Sequence, residues 1–218
     1  MDKQYIIFDF DNTLVDSLGY WAKTEFKQLF KIYGKKPNKN FKKLKSGTSN
    51  AQAAQIFIDL AQVDITVEEV FEQTAAIMYG YYTNNIKFIK GAKQYLNNLK
   101  SQGKTLVLAS ATQMPLLEKV IKHFKLDMFD KVYSESTLGI GKNDTRFFET
   151  ILTDLDTTAD NVFLFEDSCT SIKNAVKNNI KCCGIIHKYN KKSKKQMQDL
   201  CQLVIKNYKN KKLQQTKL

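Results

Sequence analysis

The sequence predicts an α/β protein: a doubly wound parallel sheet into which an all-helical domain is inserted. Three observations predict it. Short, nearly continuous apolar runs recur along the chain, of the kind that suits strands buried on both faces. Helical patterns separate most of these runs, as the crossovers of a parallel sheet require. Between the first and second runs, residues 15–88 carry their apolar side chains only at helical spacing.

The first strand is Tyr5-Ile-Ile-Phe-Asp-Phe10. Further strands are expected at Thr105–Ala109, Asn161–Phe165 and Lys181–Ile186, with a shorter one at Asp130–Tyr133. Helices are expected at Gly91–Gly103, which Gly103 stops, and at Leu116–Phe124, Asp144–Leu155 and Ser171–Asn179. In the inserted block, Leu18–Tyr33, Asn50–Ala61 and Val67–Tyr82 read as helices, the last capped by Thr66 with Glu68 and Glu69 in its first turn. These patterns divide the chain into a core of residues 1–14 and 89–218 and a helical domain of residues 15–88. The helical domain is expected above the C-terminal edge of the sheet, where open parallel sheets bind ligands. Residues 193–208 read as a final amphipathic helix, and the segment from Asn207 as a polar, frayed tail.

The composition excludes several classes. No stretch is long and apolar enough to cross a membrane, and Asp9 and Asp11 interrupt the first apolar run too early for a secretory leader. A soluble cytoplasmic protein, monomeric or dimeric, is expected. The cysteines, Cys169, Cys182, Cys183 and Cys201, lack zinc-ligand spacing, and the Cys182-Cys183 pair in an apolar run reads as buried small hydrophobes. The formal net charge is +12, which suits anionic partners. Yet the cationic set holds one arginine, Arg146, and is otherwise lysine. A reader of nucleic-acid phosphates draws on arginine's bidentate fork, so nucleic acid is not the expected partner.

The chemistry concentrates at strand ends. Asp9-Phe-Asp11-Asn12-Thr13 follows the first strand, and burying two carboxylates there is costly without a cation or donors. One can attack phosphorus and hold a metal while the other handles protons. The second strand ends in Ser110-Ala111-Thr112, which offers hydroxyls and backbone N–H groups. Lys142 lies on the Gly139-Ile-Gly141 loop, and the third long strand ends in Glu166-Asp167. Hard oxygen ligands for an ion and cations for phosphoryl oxygens are what a magnesium phosphate site needs.

In this order, Asp9-Phe-Asp-Asn-Thr-Leu-Val-Asp16-Ser17, Ser110, Lys142 and Glu166-Asp167 resemble the four motifs of the haloacid dehalogenase superfamily, over roughly residues 4–186. The phosphoglycolate phosphatase and beta-phosphoglucomutase branches are the most similar. The resemblance implies a Rossmann-like core, a mobile helical cap and Mg²⁺. It implies Asp9 as nucleophile, Asp11 as acid and base, Ser110 as a phosphoryl ligand and Lys142 as the neutralising cation. It implies a metal site of Asp9, the Asp11 backbone carbonyl and Asp167, with Glu166 in support. Asn12, Thr13, Ala111 and Thr112 fall in the phosphate-binding segments, and Trp21 is a candidate substrate contact that packing within the cap also explains. Lys142 is followed by Asn143 where the family has proline, and the helical block lacks the mutase's histidine and arginine. The expected function is therefore hydrolysis of a small phosphate monoester: a sugar phosphate, phosphoglycolate or a nucleoside monophosphate. Sugar-phosphate mutase and basic nucleic-acid-binding protein are the alternatives. The basic cluster Lys35–Lys45 and Ser46-Gly-Thr-Ser49 are candidates for steering or touching the substrate, and His123 and His187 read as structural.

Overall fold

The structure is a computed structural model and describes residues 3–36, 39–45 and 48–216. Pro37 and Asn38 of the basic cluster, and Ser46 and Gly47 beside it, lie outside the described residues. The chain divides into two compact units, residues 1–17 with 86–218, and residues 18–85. The division falls three residues inward of the expected one at each crossing. Backbone pairing explains this: Ile89 N–H donates to Leu14 C=O (2.8 Å), Asp16 N–H donates to Lys87 C=O (3.0 Å), and Val15 bridges Phe88. Both connecting segments thus belong to the first unit.

That unit is built on six parallel strands: β1 (Tyr5–Phe8), β2 (Thr105–Ser110), β3 (Lys131–Ser134), β4 (Val162–Glu166), β5 (Lys181–Ile185) and β6 (Leu203–Ile205). Their order is β3-β2-β1-β4-β5-β6, so the chain starts in the middle and winds outward both ways. The central strands are apolar and fully buried: Ile6, Ile7, Leu106, Val107, Leu108 and Leu164 have no exposed surface. Registers Phe8↔Leu108 and Phe8↔Phe165 align the ends of β1, β2 and β4, so Asp9, Ser110 and Glu166 emerge along one edge.

The second unit contains α1 (Leu18–Ile32), α2 (Phe41–Leu44), α3 (Asn50–Ala61) and α4 (Val67–Asn84). Thr66 caps α4 as expected, and Glu69 reaches back to the Thr66 N–H at 2.7 Å, completing a capping box. Phe26, Phe30, Phe41 and Phe57 form an aromatic core. Trp21 sits edge-on to Tyr82 and donates its indole N–H to Tyr82 Oη at 3.0 Å, within this unit.

Around the sheet run α5 (Ala92–Ser101), α6 (Met114–Phe124), α7 (Glu135–Leu138), α8 (Arg146–Asp154), α9 (Cys169–Lys177), α10 (Lys194–Leu200) and α11 (Lys211–Gln215). Two expectations fail at the C-terminal end. The helix expected over residues 193–208 stops at Leu200, and residues 203–205 form β6, paired to β5 from Cys183↔Leu203 to Ile185↔Ile205. Val204 and Ile205 are β-branched, and the open edge of β5 offers backbone partners that outweigh a weak helical period. Nor is the segment from Asn207 a frayed tail. Tyr208 is 1% exposed against Phe8, Tyr95 and Phe165, and its hydroxyl donates to Thr13 C=O at 3.0 Å. Gly91 allows this closure: its φ is +83°, and a Cβ there would meet Lys209 N at 3.3 Å.

Tyr208 therefore ties the chain's end to the turn that carries Asp11. Tyr208→Phe should cost about 1 kcal/mol of unfolding free energy, the value of one net hydrogen bond. Tyr208→Ala should cost about 3–5 kcal/mol by leaving an aromatic-sized cavity. Urea denaturation of both variants checks the order.

Candidate active site

The turn after β1 departs from strand geometry at once. Leu14 N–H donates to Phe10 C=O (2.9 Å), Asn12 N–H donates to Val15 C=O (2.7 Å), and Asn12 takes φ +60°. Asparagine tolerates this left-handed conformation better than most residues. The turn separates the two aspartates. Asp9 is buried, while Asp11 accepts from the Ser17 hydroxyl through Oδ1 and from Thr112 Oγ1 (2.6 Å) through Oδ2.

Lys142 is the centre of the arrangement. Its Nζ lies 2.8 Å from Asp9 Oδ1, 2.6 Å from Glu166 Oε2 and 3.0 Å from Ala109 C=O. Lys142, Asp9 and Glu166 are all buried. The loop carrying Lys142 is held from both sides: Lys142 N–H donates to Glu135 Oε1 (2.8 Å), and Asn174 Nδ2 donates to Lys142 C=O (3.0 Å). Asn143, where the family has proline, folds back over the loop. A Cβ on Gly141 would come within 2.5 Å of Asn143 Oδ1, so a side chain there would require the exposed Asn143 amide to turn aside.

Glu166 is fully engaged. Oε1 accepts the backbone N–H groups of Asp167 and Ser168, both at 3.0 Å, and Oε2 accepts Ser171 Oγ (2.8 Å) besides Lys142. Asp167 follows on the turn into α9. Its Oδ2 lies 2.8 Å from His187 Nε2, and its carbonyl accepts Asn190 Nδ2 (3.0 Å). Asp9, Glu166 and Asp167 each offer a carboxylate oxygen within 4.8 Å of the others. Asp11 stands outside that trio, on Ser17 and Thr112. On the far side, Ser110 Oγ accepts Thr112 N–H (3.0 Å), which leaves its own proton to donate. Ala111 lies exposed between the two. Thr13 is buried, and its Oγ1 makes no hydrogen bond.

The electrostatics follow from this packing. Burial raises the Asp9 carboxyl well above its ordinary range, Glu166 adds to the rise, and Lys142 opposes it. Burial and Glu166 do the same to Asp167. Burial acts to lower the Lys142 pKa, but Asp9 and Glu166 outweigh it and hold the ammonium charged. Three clustered carboxylates facing one lysine leave an excess of negative charge. A divalent cation with a preference for hard oxygen donors fits it. A cleft of about 390 Å³ opens nearby, where Asn12, Asp16 and His187 meet the exposed lysines Lys87, Lys188 and Lys206. Burial pushes the thiols of Cys182 and Cys183 up, which keeps them inert.

The haloacid dehalogenase-like hydrolase family model matches residues 6–185. The chain belongs to this family. A phosphorylated carbohydrates phosphatase of Thermotoga maritima is 23% identical over 189 residues, 85% of this chain and 86% of that protein. Among solved structures, CbbY from Rhodobacter sphaeroides in complex with phosphate is similar at a TM-score of 0.78 and 16% identity, covering 95% of each chain. A family IA, variant 3 hydrolase from Entamoeba histolytica is similar at 0.78 and 19% identity, over 98% of this chain and 97% of that one. The hydrolase fold thus agrees with the sequence reading; Asp9, Ser110 and Glu166 stand at the ends of β1, β2 and β4, whereas Lys142 ends no strand and lies on the loop between α7 and α8.

His187 and Asn190 on Asp167, and Glu135 and Asn174 on the Lys142 loop, were not foreseen. In sequence His187 lies just past the last strand, which reads as a structural position.

In metal-free protein the raised carboxyls hold protons that the unfolded chain, with an ordinary value of 3.8, has released. The folded state then binds more protons, and stability falls as pH rises above about 4. Asp167→Asn removes one such group. Urea unfolding in a chelator should show the parent losing stability relative to the variant above that pH, by up to about 1.4 kcal/mol per pH unit. Parallel pH profiles would contradict the burial of these charges.

Proposed function

We propose that this hydrolase is a Mg²⁺-dependent phosphatase that cleaves small phosphate monoesters through an aspartyl-phosphate on Asp9. The observation that carries the reading is Lys142 Nζ, buried at 2.8 Å from Asp9 and 2.6 Å from Glu166, with Asp167 alongside. A lysine so placed can meet a phosphoryl oxygen without leaving the nucleophile.

Asp9 and Asp167 are the carboxylates with capacity to hold the ion, joined in this reading by the Asp11 carbonyl. Glu166, with both oxygens taken by Lys142, Ser171 and two backbone donors, anchors the lysine instead. Bound there, the ion supplies positive charge that offsets repulsion between a carboxylate nucleophile and an anionic phosphate. Asp9 attacks phosphorus through the oxygen that Lys142 does not hold. The ester P–O bond breaks, and Asp11 delivers its proton to the leaving oxygen. Asp11, now a carboxylate, takes a proton from water. That water attacks phosphorus, and the bond to Asp9 breaks to release phosphate. Ser17 and Thr112 hold Asp11 in place for both transfers, and Ser110 and Lys142 bind the phosphoryl oxygens throughout.

Phosphorylated carbohydrates are the substrate class the Thermotoga relative suggests. The lysines flanking the cleft support an anionic substrate by raising its local concentration.

A phosphate-release screen over phosphorylated metabolites should find activity that needs Mg²⁺ and falls at least about 10³-fold in Asp9→Asn. Asp11→Asn should lose about 10²–10⁴-fold, the usual span for a positioned acid–base. Absence of phosphate release across the panel contradicts the reading. Bisphosphate-dependent isomerisation with slow net release would assign the chain to the mutases.

A further inference from the structure

The loop that follows β5 does more than end the strand. His187 Nε2 lies 2.8 Å from Asp167 Oδ2. The other ring nitrogen, Nδ1, accepts the Tyr189 N–H at 3.2 Å. An acceptor at Nδ1 places the ring proton on Nε2, so the imidazole donates to the carboxylate as a neutral group. The same loop holds the Asp167 backbone. Asn190 Nδ2 donates to the carbonyls of Asp167 (3.0 Å) and Ile185 (3.1 Å), while Asn190 Oδ1 accepts the His187 N–H at 2.8 Å. His187 thus holds the side chain of Asp167 and Asn190 its carbonyl, while Tyr189 and Ile185 brace these two residues. His187 and Asp167 are both largely shielded, with side chains 18% and 15% exposed.

We propose that His187 is a positioning residue that orients Asp167 and sets the affinity of the site for its divalent ion, with Asn190 holding the loop that carries it. The inference rests on the reading of Asp167 as a magnesium ligand. Three features support it. Asp167 offers a carboxylate oxygen within 4.8 Å of oxygens of Asp9 and Glu166, a spacing at which one ion can be shared. A ligand already held in its bound rotamer loses little conformational freedom when the ion arrives. A neutral N–H also orients the carboxylate without adding a positive charge that would compete with the ion, as a lysine at this place would. Lys142 already places one ammonium between Asp9 and Glu166.

Calorimetric titration of the full chain with Mg²⁺, without substrate, tests this. His187→Ala should weaken Mg²⁺ binding by about 10–100-fold, the usual effect of removing a group that orients a metal ligand. His187→Gln, whose amide N–H reaches a similar point, should restore most of that affinity. In phosphate-release assays the Ala variant should need more Mg²⁺ for half-maximal rate yet approach the parent kcat at saturation. Should His187→Ala lose its cooperative thermal transition, His187→Asn, whose amide falls short of Asp167, takes its place. Mg²⁺ affinity equal to the parent's in the Ala or Asn variant, or a Gln variant as weak as Ala, overturns the assignment. Asp167→Ala separates the two levels. If it too binds Mg²⁺ as the parent does, the metal reading of Asp167 has failed and the role of His187 falls with it. If only the His187 variants are unaffected, the reading of Asp167 stands and the inference alone is lost.

Discussion

One buried ammonium organises this protein. Lys142 bridges Asp9 at the end of β1 and Glu166 at the end of β4, and it also caps the last carbonyl region of β2 through Ala109. Three strand ends from distant parts of the sequence are thereby joined at one point. Leaving either carboxylate buried without the lysine would cost about 3–5 kcal/mol, the usual penalty for an orphaned buried charge. The sheet order puts β1 at the centre with β2 and β4 beside it, so the ion pair and the strand register reinforce each other. Lys142 is held in turn by Glu135 and Asn174, which fixes a loop that would otherwise be free to move.

The same lysine leaves the site electrostatically unfinished. It offsets part of the charge on Asp9, Glu166 and Asp167, and burial still pushes the carboxyls of Asp9 and Asp167 upward. A pocket in this condition gains free energy from any compact cation with oxygen ligands, and more from a phosphoryl group that brings further ligands to that cation. Carboxyls perturbed by burial and by one another are common where a functional site gathers them in a nearly dry place.

Much of this was legible in the sequence, and the reason is local. Asp9, Ser110 and Glu166-Asp167 each end an apolar run, and an ionisable residue at the end of a buried strand has few explanations besides a site. The residues that brace the site were not legible. Glu135, Asn174, His187 and Asn190 reach their partners through loops and helix faces whose placement depends on the finished fold. An imidazole in a lysine-rich segment carries no mark of the carboxylate it will meet. The C-terminal region misled for a different reason. Met197, Leu200, Leu203 and Val204 keep a helical period across a boundary that only the free edge of β5 imposes. Tyr208, in a polar stretch, looked like a tail residue and is instead buried against Phe8 and Phe165.

The arrangement of Asp9, Lys142 and Asp167 around one phosphorus position can be seen directly by crystallography with Mg²⁺ and trifluoroberyllate, which mimics a phosphoryl group on a carboxylate. The predicted density has beryllium bonded to the Asp9 oxygen that Lys142 leaves open, a fluorine on Lys142 Nζ, and Mg²⁺ between Asp9 and Asp167. Beryllium bound to another carboxylate, or an ion that does not touch Asp167, would contradict it.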